Sequence, residues 1–266
     1  MPENPSTENR YKALVAKIFG DRYRPGAKEV PFERTDLESA AKSLEIKLPK
    51  NLGDVIYAIR YRIPLPDSIL ATQPSGMEWI VEGSGRASYA FKLVPINRIV
   101  PNPELIAIKI PDATPEIISA NALSDEQSLL AKLRYNRLID IFLGLSAYSL
   151  QSHLRTSVPK LGQIEIDEVY VGVDRQGRQY IIPVQAKGGS DQLSVVQTKQ
   201  DLLCCRDKFP DLIPRSISAQ FMGDGSISIF ELTIADEHVK IVEEKHYRLV
   251  PAAEISPGDL ALYSQR

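Results

Sequence analysis

The sequence predicts a mixed α/β (α+β) fold, a mixed central sheet flanked by helices, behind a mainly helical N-terminal region. Three observations carry this. Past residue 119 the periodicity runs helix, strand, strand, helix, strand, the order of a sheet with helices packed on it. Ahead of it, short stretches with helical spacing are separated by Gly and Pro punctuation. Between the two, period-two segments flank Gly83-Ser84-Gly85, as in a hairpin.

Composition narrows the class. At 266 residues, with 43% apolar and 25% charged residues, the chain can bury a substantial core and has the ordinary globular mix. No apolar run approaches the roughly 20 residues of a membrane helix, and MPENPSTENR does not read as a signal peptide. Cys204 and Cys205 are adjacent, which argues against a disulfide framework and fits a reducing cytoplasm. Three scattered histidines argue against a zinc site. The net charge of −2 lacks the basic excess of many nucleic-acid binders, but binding responds to local potential, so a basic face remains compatible with it.

Residues 1–8 read as a disordered tail, and residues 9–118 as the N-terminal region. A helix is expected from Asn9 to about Phe19, with Leu14, Ile18 and Phe19 on one side, ended by Gly20 and Pro25-Gly26. Thr35-Asp36-Leu37-Glu38 has the pattern of a capping box and opens a helix carrying Leu37, Ala40, Ala41 and Leu44. Pro49 breaks that helix, and Asn51 is placed to cap another containing Val55, Ile56 and Ile59. Two short helices, the second basic, form either a DNA-reading helix-turn-helix or a helical hairpin with a solvated charged face. In the first reading Lys50, Asn51, Arg60 and Arg62 are the DNA-facing set. A hairpin follows from Met77 to Lys92, then a strand from Leu105 to Ile110 stopped by Pro111.

Residues 119–266 read as the second domain. Ser124-Asp125-Glu126-Gln127 is a second capping-box pattern, opening a helix with Leu130, Leu133, Leu138, Ile141 and Leu145. Gly144 interrupts it, and helical spacing is expected to resume to about Arg155. Two strands, a helix from about Gln192 to Phe209, and strands at Ser216–Phe221, Ser226–Ile234 and Val239–Leu249 complete the chain. Gln197 and Gln200 on that helix read as a solvated face or as groups reaching toward DNA.

The two strands, IEIDEVYVGVDRQGRQYIIPVQAKGG from Ile164 to Gly189, carry polar groups where a buried sheet is expected. Asp174 and Arg178 bracket Arg175-Gln176-Gly177, and a three-residue hairpin loop with a left-handed glycine sets those two opposite each other. Counting back places Asp167 opposite Gln185 and Glu165 opposite Lys187, all on one face. Glu168 falls on the other face. Val169, Val171 and Ile181 on one side, and Tyr170, Ile182 and Val184 on the other, imply cover on both faces. A polar quartet there is either a buried Glu165–Lys187 ion pair with Asp167 and Gln185 hydrogen-bonded beside it, or a site that holds an ion.

These residues resemble the PD-(D/E)XK nuclease superfamily, whose hallmark is an acidic residue on one strand and acidic-X-Lys on the next. The matching residues are Asp167 and Gln185-Ala186-Lys187, a QxK form similar to that of Mrr-type restriction endonucleases. The run IDEVYVGVD…IIPVQAKGG is also similar to type II restriction endonucleases, and the resemblance covers roughly residues 160–205. It implies a restriction-endonuclease-like core and a Mg²⁺-dependent, restriction-type endonuclease hydrolysing phosphodiester bonds in double-stranded DNA. Asp167 and Gln185 would be the metal ligands, Lys187 would act on water or phosphate, and Glu165 would tune that lysine or add a ligand. A further acidic residue from the preceding helix is implied, with Glu126 and Asp140 as candidates. The implied partners are a second copy of the chain in a homodimer and a DNA methyltransferase encoded nearby. A repair or recombination nuclease with the same core, and a non-catalytic helix-turn-helix regulator, are the alternatives.

Overall fold

The computed structural model describes residues 7–61, 63–85, 87–96, 99–121, 126–159, 161–188, 193, 195–235 and 238–264. Most of the expected N-terminal tail, Arg62, and Ser124-Asp125 of the second capping box lie outside these. The chain divides into two units. One comprises Met1–Ile96 with Ser157–Gly162, the other Asn97–Thr156 with Gln163–Arg266.

The first unit runs α1 (Thr7–Arg22), β1 (Glu29–Glu33), α2 (Arg34–Ser43), α3 (Gly53–Tyr61), α4 (Asp67–Leu70), β2 (Met77–Gly85) and β3 (Ser88–Pro95). Its strands form a three-stranded antiparallel sheet in the order β1-β3-β2. The apolar stripe of α1 meets Leu37, Val55, Ile56, Ile59, Trp79 and Phe91 in one core. Phe19 is edge-on to both Trp79 and Phe91, at centroid distances of 5.2 and 5.1 Å.

The cap of α2 differs from the expected Thr35-to-Glu38 pattern. Glu33 is the N-cap, and the Glu33 amide donates to Asp36 Oδ2 at 2.6 Å. Sheet pairing carries through Glu33 opposite Ser88, and the Arg34 amide bonds Ala87 O at 2.9 Å, so the helix starts where the ladder ends. Asn51 does cap α3, accepting from the Gly53 amide at 3.1 Å and donating to Asp54 at 2.7 Å. Residues 44–52 join α2 to α3, a longer connection than the three-to-four-residue turn of a tight helix-turn-helix.

The second unit contains β4 (Ala107–Pro111), α5 (Glu116–Ser119), α6 (Glu126–Tyr135), α7 (Leu138–Leu143), β5 (Ser146–Val158), β6 (Gly162–Val173) and β7 (Gln179–Lys187). It continues with α8 (Val195–Lys208), β8 (Ile213–Pro214), β9 (Ser216–Phe221), β10 (Ile227–Ala235), β11 (His238–Val250), the 3₁₀ turn Ala252–Glu254 and α9 (Pro257–Tyr263). The sheet order is β4-β11-β10-β9-β7-β6-β5, with β8 beside β7. It is mixed: β7 is antiparallel to β6 and parallel to β9, and β11 is parallel to β4. Because β4 pairs with β11, the division falls after Ile96 and not near residue 118.

Gly144, at φ 65°, ends α7 with a left-handed cap. The helix expected to resume to Arg155 is instead β5, an edge strand of the sheet. Its residues are exposed along most of their length, so no apolar stripe holds a helix there and pairing along the sheet edge decides the conformation. From α6 and α7 onward the order is helix, three strands, helix, strand. One face of the sheet packs Tyr170, Ile182, Val184, Ala186, Ile217 and Ala219 against α6 and α7. The other is covered by α8. Both cysteines are free and buried, and among the described residues no helix is long and apolar enough to cross a membrane.

Phe91 is fully buried between Phe19 and Phe32. Phe91→Ala should cost the first unit about 3–5 kcal/mol, the usual range for a buried aromatic. Urea denaturation followed by the fluorescence of Trp79, in the same core, measures it.

Candidate functional site

The site is built from the turn of the β6–β7 hairpin. Asp174 Oδ1 accepts from the amides of Gln176 and Arg178 at 2.9 and 3.0 Å, and Oδ2 accepts from Arg178 Nε at 2.7 Å and Tyr180 OH at 2.9 Å. Partial desolvation works against the charge, but these donors outweigh it and draw the Asp174 carboxyl down to about 2. Gly177, at φ 78°, takes the left-handed position that a side chain would strain. The pairing is the expected one: Val173 faces Gln179, Tyr170 faces Ile182 and Glu168 faces Val184.

The β6–β7 ladder ends at Glu168 and Val184. The next bond comes from a side chain, as the Ala186 amide donates to Asp167 Oδ2 at 2.9 Å. Asp167 therefore sits where the two strands stop pairing, fixed by the backbone of the residue before Lys187. Lys187, the last residue of β7, forms an ion pair with Glu126 Oε1 at 2.7 Å. Glu126 is the first residue of α6, so the structure brings Glu126 to the site. Asp140 is elsewhere. It accepts from the Ala147 amide at 2.9 Å and from Arg137, and lines an open cavity of about 760 Å³ with Val173, Asp174 and Arg175, at the turn end of the hairpin.

The remaining residues have separate positions. Gln185 is fully buried and donates through Nε2 to Thr198 Oγ1 of α8 at 2.6 Å. Glu165 is engaged by two residues of β5, Arg155 at 3.2 Å and His153 at 3.4 Å. Glu168 points to the opposite face, fully buried, and receives Arg134 at 2.8 Å and Ser149 at 2.6 Å. Gln197 and Gln200 are buried, not solvated, because α8 lays a polar face on the sheet. In the other unit Lys50 and Asn51 are exposed and Arg60 is half-buried.

Asp201 is the residue that sequence reasoning missed. It lies one helical turn beyond Thr198, on the same side of α8, and is 1% exposed. Its Oδ1 has no hydrogen-bond partner among the described residues. Burial raises its pKa well above the ordinary value, the charge of Asp167 adds to the rise, and Lys187 partly offsets it. Asp167 is also raised, by burial first, against the Ala186 amide and Lys187, which lower it. The spacing Thr198, Asp201, Leu202, Cys205 is that of one helix face, and an Asp inside such a stripe is the signal that could have identified it.

Among the described residues no three His, Cys, Asp or Glu side chains form a ready-made metal cage. A Mg²⁺-type ion keeps several waters and takes one or two carboxylates, so it requires no such cage. Hard oxygen donors at Asp167, and a buried carboxylate oxygen at Asp201 with no partner, fit an ion of that kind. No protein-family model, curated protein or solved structure matches the chain.

The two raised carboxyl groups set a pH dependence. Between the ordinary value of 3.8 and the raised folded values, the native state holds protons that the unfolded chain has released. Stability contributed by these groups therefore falls as pH rises through that window. Asp201→Asn should flatten the slope relative to wild type, as read by urea denaturation of metal-free protein across a pH series.

Proposed function

We propose that the chain is a Mg²⁺-dependent endonuclease acting on double-stranded DNA in the manner of restriction enzymes, with phosphodiester hydrolysis at Asp167 and Lys187. The observation that carries this is the Asp167 carboxylate bonded to the amide of Ala186, beside Lys187. It joins the acidic residue of one strand to the QxK triplet of the next, as the resemblance to PD-(D/E)XK nucleases implies. The order helix, three strands, helix, strand, with the last strand parallel to β7, supports a restriction-endonuclease-like core.

The chemistry follows from the groups present. A bound Mg²⁺ acidifies water and offsets charge on a phosphate. Asp167 would hold it, anchored by the Ala186 amide so that its other oxygen has a set direction. The Lys187 ammonium, held by Glu126, would stand against the scissile phosphate and neutralise charge that builds on its oxygens. Glu126 positions the amine. The helical first unit, with Lys50 and Arg60 around α3, Arg62 following in the sequence and a hairpin after it, is the proposed DNA-binding part, and a homodimer is the expected assembly on a two-fold site.

The neutral, fully buried Gln185 favours a second reading, a DNA-binding regulator that has lost cleavage. Incubating unmodified and methylated plasmid with Mg²⁺ or chelator, followed by end mapping, separates the two. Discrete cleavage with Mg²⁺ alone supports the nuclease. DNA binding without cleavage under any of these conditions supports the regulator.

Lys187→Ala should abolish cleavage and leave the fold and DNA binding in place, since the amine faces the reacting phosphate and not a groove. A folded Lys187→Ala protein with full activity removes the lysine from the site. Asp167→Ala should likewise be inactive. Glu168→Ala should retain cleavage and instead lose about 1–3 kcal/mol of stability, because it strips charged hydrogen bonds from Arg134 and Ser149. Parallel nicking assays and urea curves give both quantities.

A further inference from the structure

A polar group buried without a partner is costly and needs a reason. Asp201 is such a group. It is 1% exposed, and its Oδ1 is unpartnered among the described residues. Asp167 and Lys187 are the charged groups that act on it. Asp167 and Gln185 share the sheet face that α8 covers, as the Gln185 bond to Thr198 shows, and Asp201 follows Thr198 by one turn. A carboxyl on α8 thus lies one turn from the contact with Gln185, on the sheet face that carries Asp167, where the QxK triplet has a neutral amide in the position of a second acid.

We propose that Asp201 supplies this missing carboxylate, so that a divalent cation is held by Asp167 and Asp201, while Gln185 fixes α8 in place through Thr198. The inference rests on the metal-dependent reading above and assigns its second anionic donor. Two carboxylates facing a low-dielectric space repel each other, and a divalent cation between them removes both the repulsion and the orphaned oxygen. The Nε2 of Gln185 is committed to Thr198 at 2.6 Å, a contact that suits a strut between strand and helix.

The test uses the full chain and Mn²⁺ alone as probe, since Mn²⁺ favours the same oxygen donors as Mg²⁺. Free Mn²⁺ is measured by electron paramagnetic resonance during titration of wild type, Asp201→Asn and Gln185→Met, with circular dichroism melts as a check on folding. Asp201→Asn should weaken Mn²⁺ by at least about tenfold, the lower end of the effect of losing even an outer hydrogen-bond partner of a metal ligand. Gln185→Met keeps the bulk without the amide, loosens the strut to α8, and should weaken Mn²⁺ clearly less than Asp201→Asn does.

Retained Mn²⁺ affinity in Asp201→Asn overturns the inference, and so does a loss in Gln185→Met as large as or larger than that in Asp201→Asn, which would make the amide a donor. If Asp201→Asn does not fold, Asp201→Ala takes its place. Failure of both to fold would assign Asp201 to the scaffold and overturn the proposal. Absence of Mn²⁺ binding by folded wild type would defeat the metal-dependent reading itself, an outcome distinct from the other three.

Discussion

Everything at the candidate site depends on the clasp at Asp174. Two backbone amides, a guanidinium and a phenol converge on one carboxylate, and with Gly177 left-handed they admit a single loop length. Side chains alternate along a strand, so a slip of one residue would send Asp167 to the α6 face and Glu168 to the α8 face. The apolar pairs between turn and site enforce the same register, since Tyr170, Ile182 and Val184 are buried against α6 and α7 only in this phase. A surface turn thus determines which carboxylate stands beside Lys187, across strands rising about 3.4 Å per residue.

The two faces of the sheet divide the work. The α6 side is an apolar core with charged insertions at Glu168, held by Arg134 and Ser149, and at Glu231, held by Arg215. The α8 side is polar where it meets β7 and β9. Gln197, Thr198, Gln200 and Asp201 come from the helix, and Gln185, Ser216, Ser218 and Ser228 from the strands. Ser218 is in register with Gln185 and Ser228 with Gln220, which places these serines on the face that α8 covers. Such a layer gives up hydrophobic stabilisation, and a net stability of about 5–15 kcal/mol leaves little room for that without compensation. The compensation is the apolar packing on the opposite face.

Much of this was legible in the residues. Period-two runs placed β9, β10 and β11 closely, and the turn chemistry yielded the β6–β7 register, because both signals are local. What failed was non-local. Residues 146–155 have no strong propensity of their own, and pairing along β6 makes them a strand. Gln197 and Gln200 read as solvated because a polar helix face usually is, and only the packing of α8 shows them buried. Glu126 and Asp140 were equivalent candidates on paper. The start of α6 brings the first to Lys187, and the left-handed cap at Gly144 leaves the second at the other end of the hairpin.

Asp201 shows why a site can be half visible. Strand positions announce themselves, since a charge inside an alternating apolar run breaks a period of two. A helix that buries a polar face offers no such contrast, because glutamine, threonine and aspartate are ordinary on any helix surface. In the proposed site the chemistry assigned to one strand triplet would be spread over a strand and the helix packed on it. Such an arrangement would have a physical merit: groups on two rigid elements, tied together by the bond between Gln185 and Thr198, hold their separation better than groups on a loop. It would also explain how a triplet with a neutral first residue keeps a charged environment around Lys187. The charged groups come from Asp167 across the hairpin and from Glu126 at the start of α6, so no single segment of the sequence carries the whole pattern.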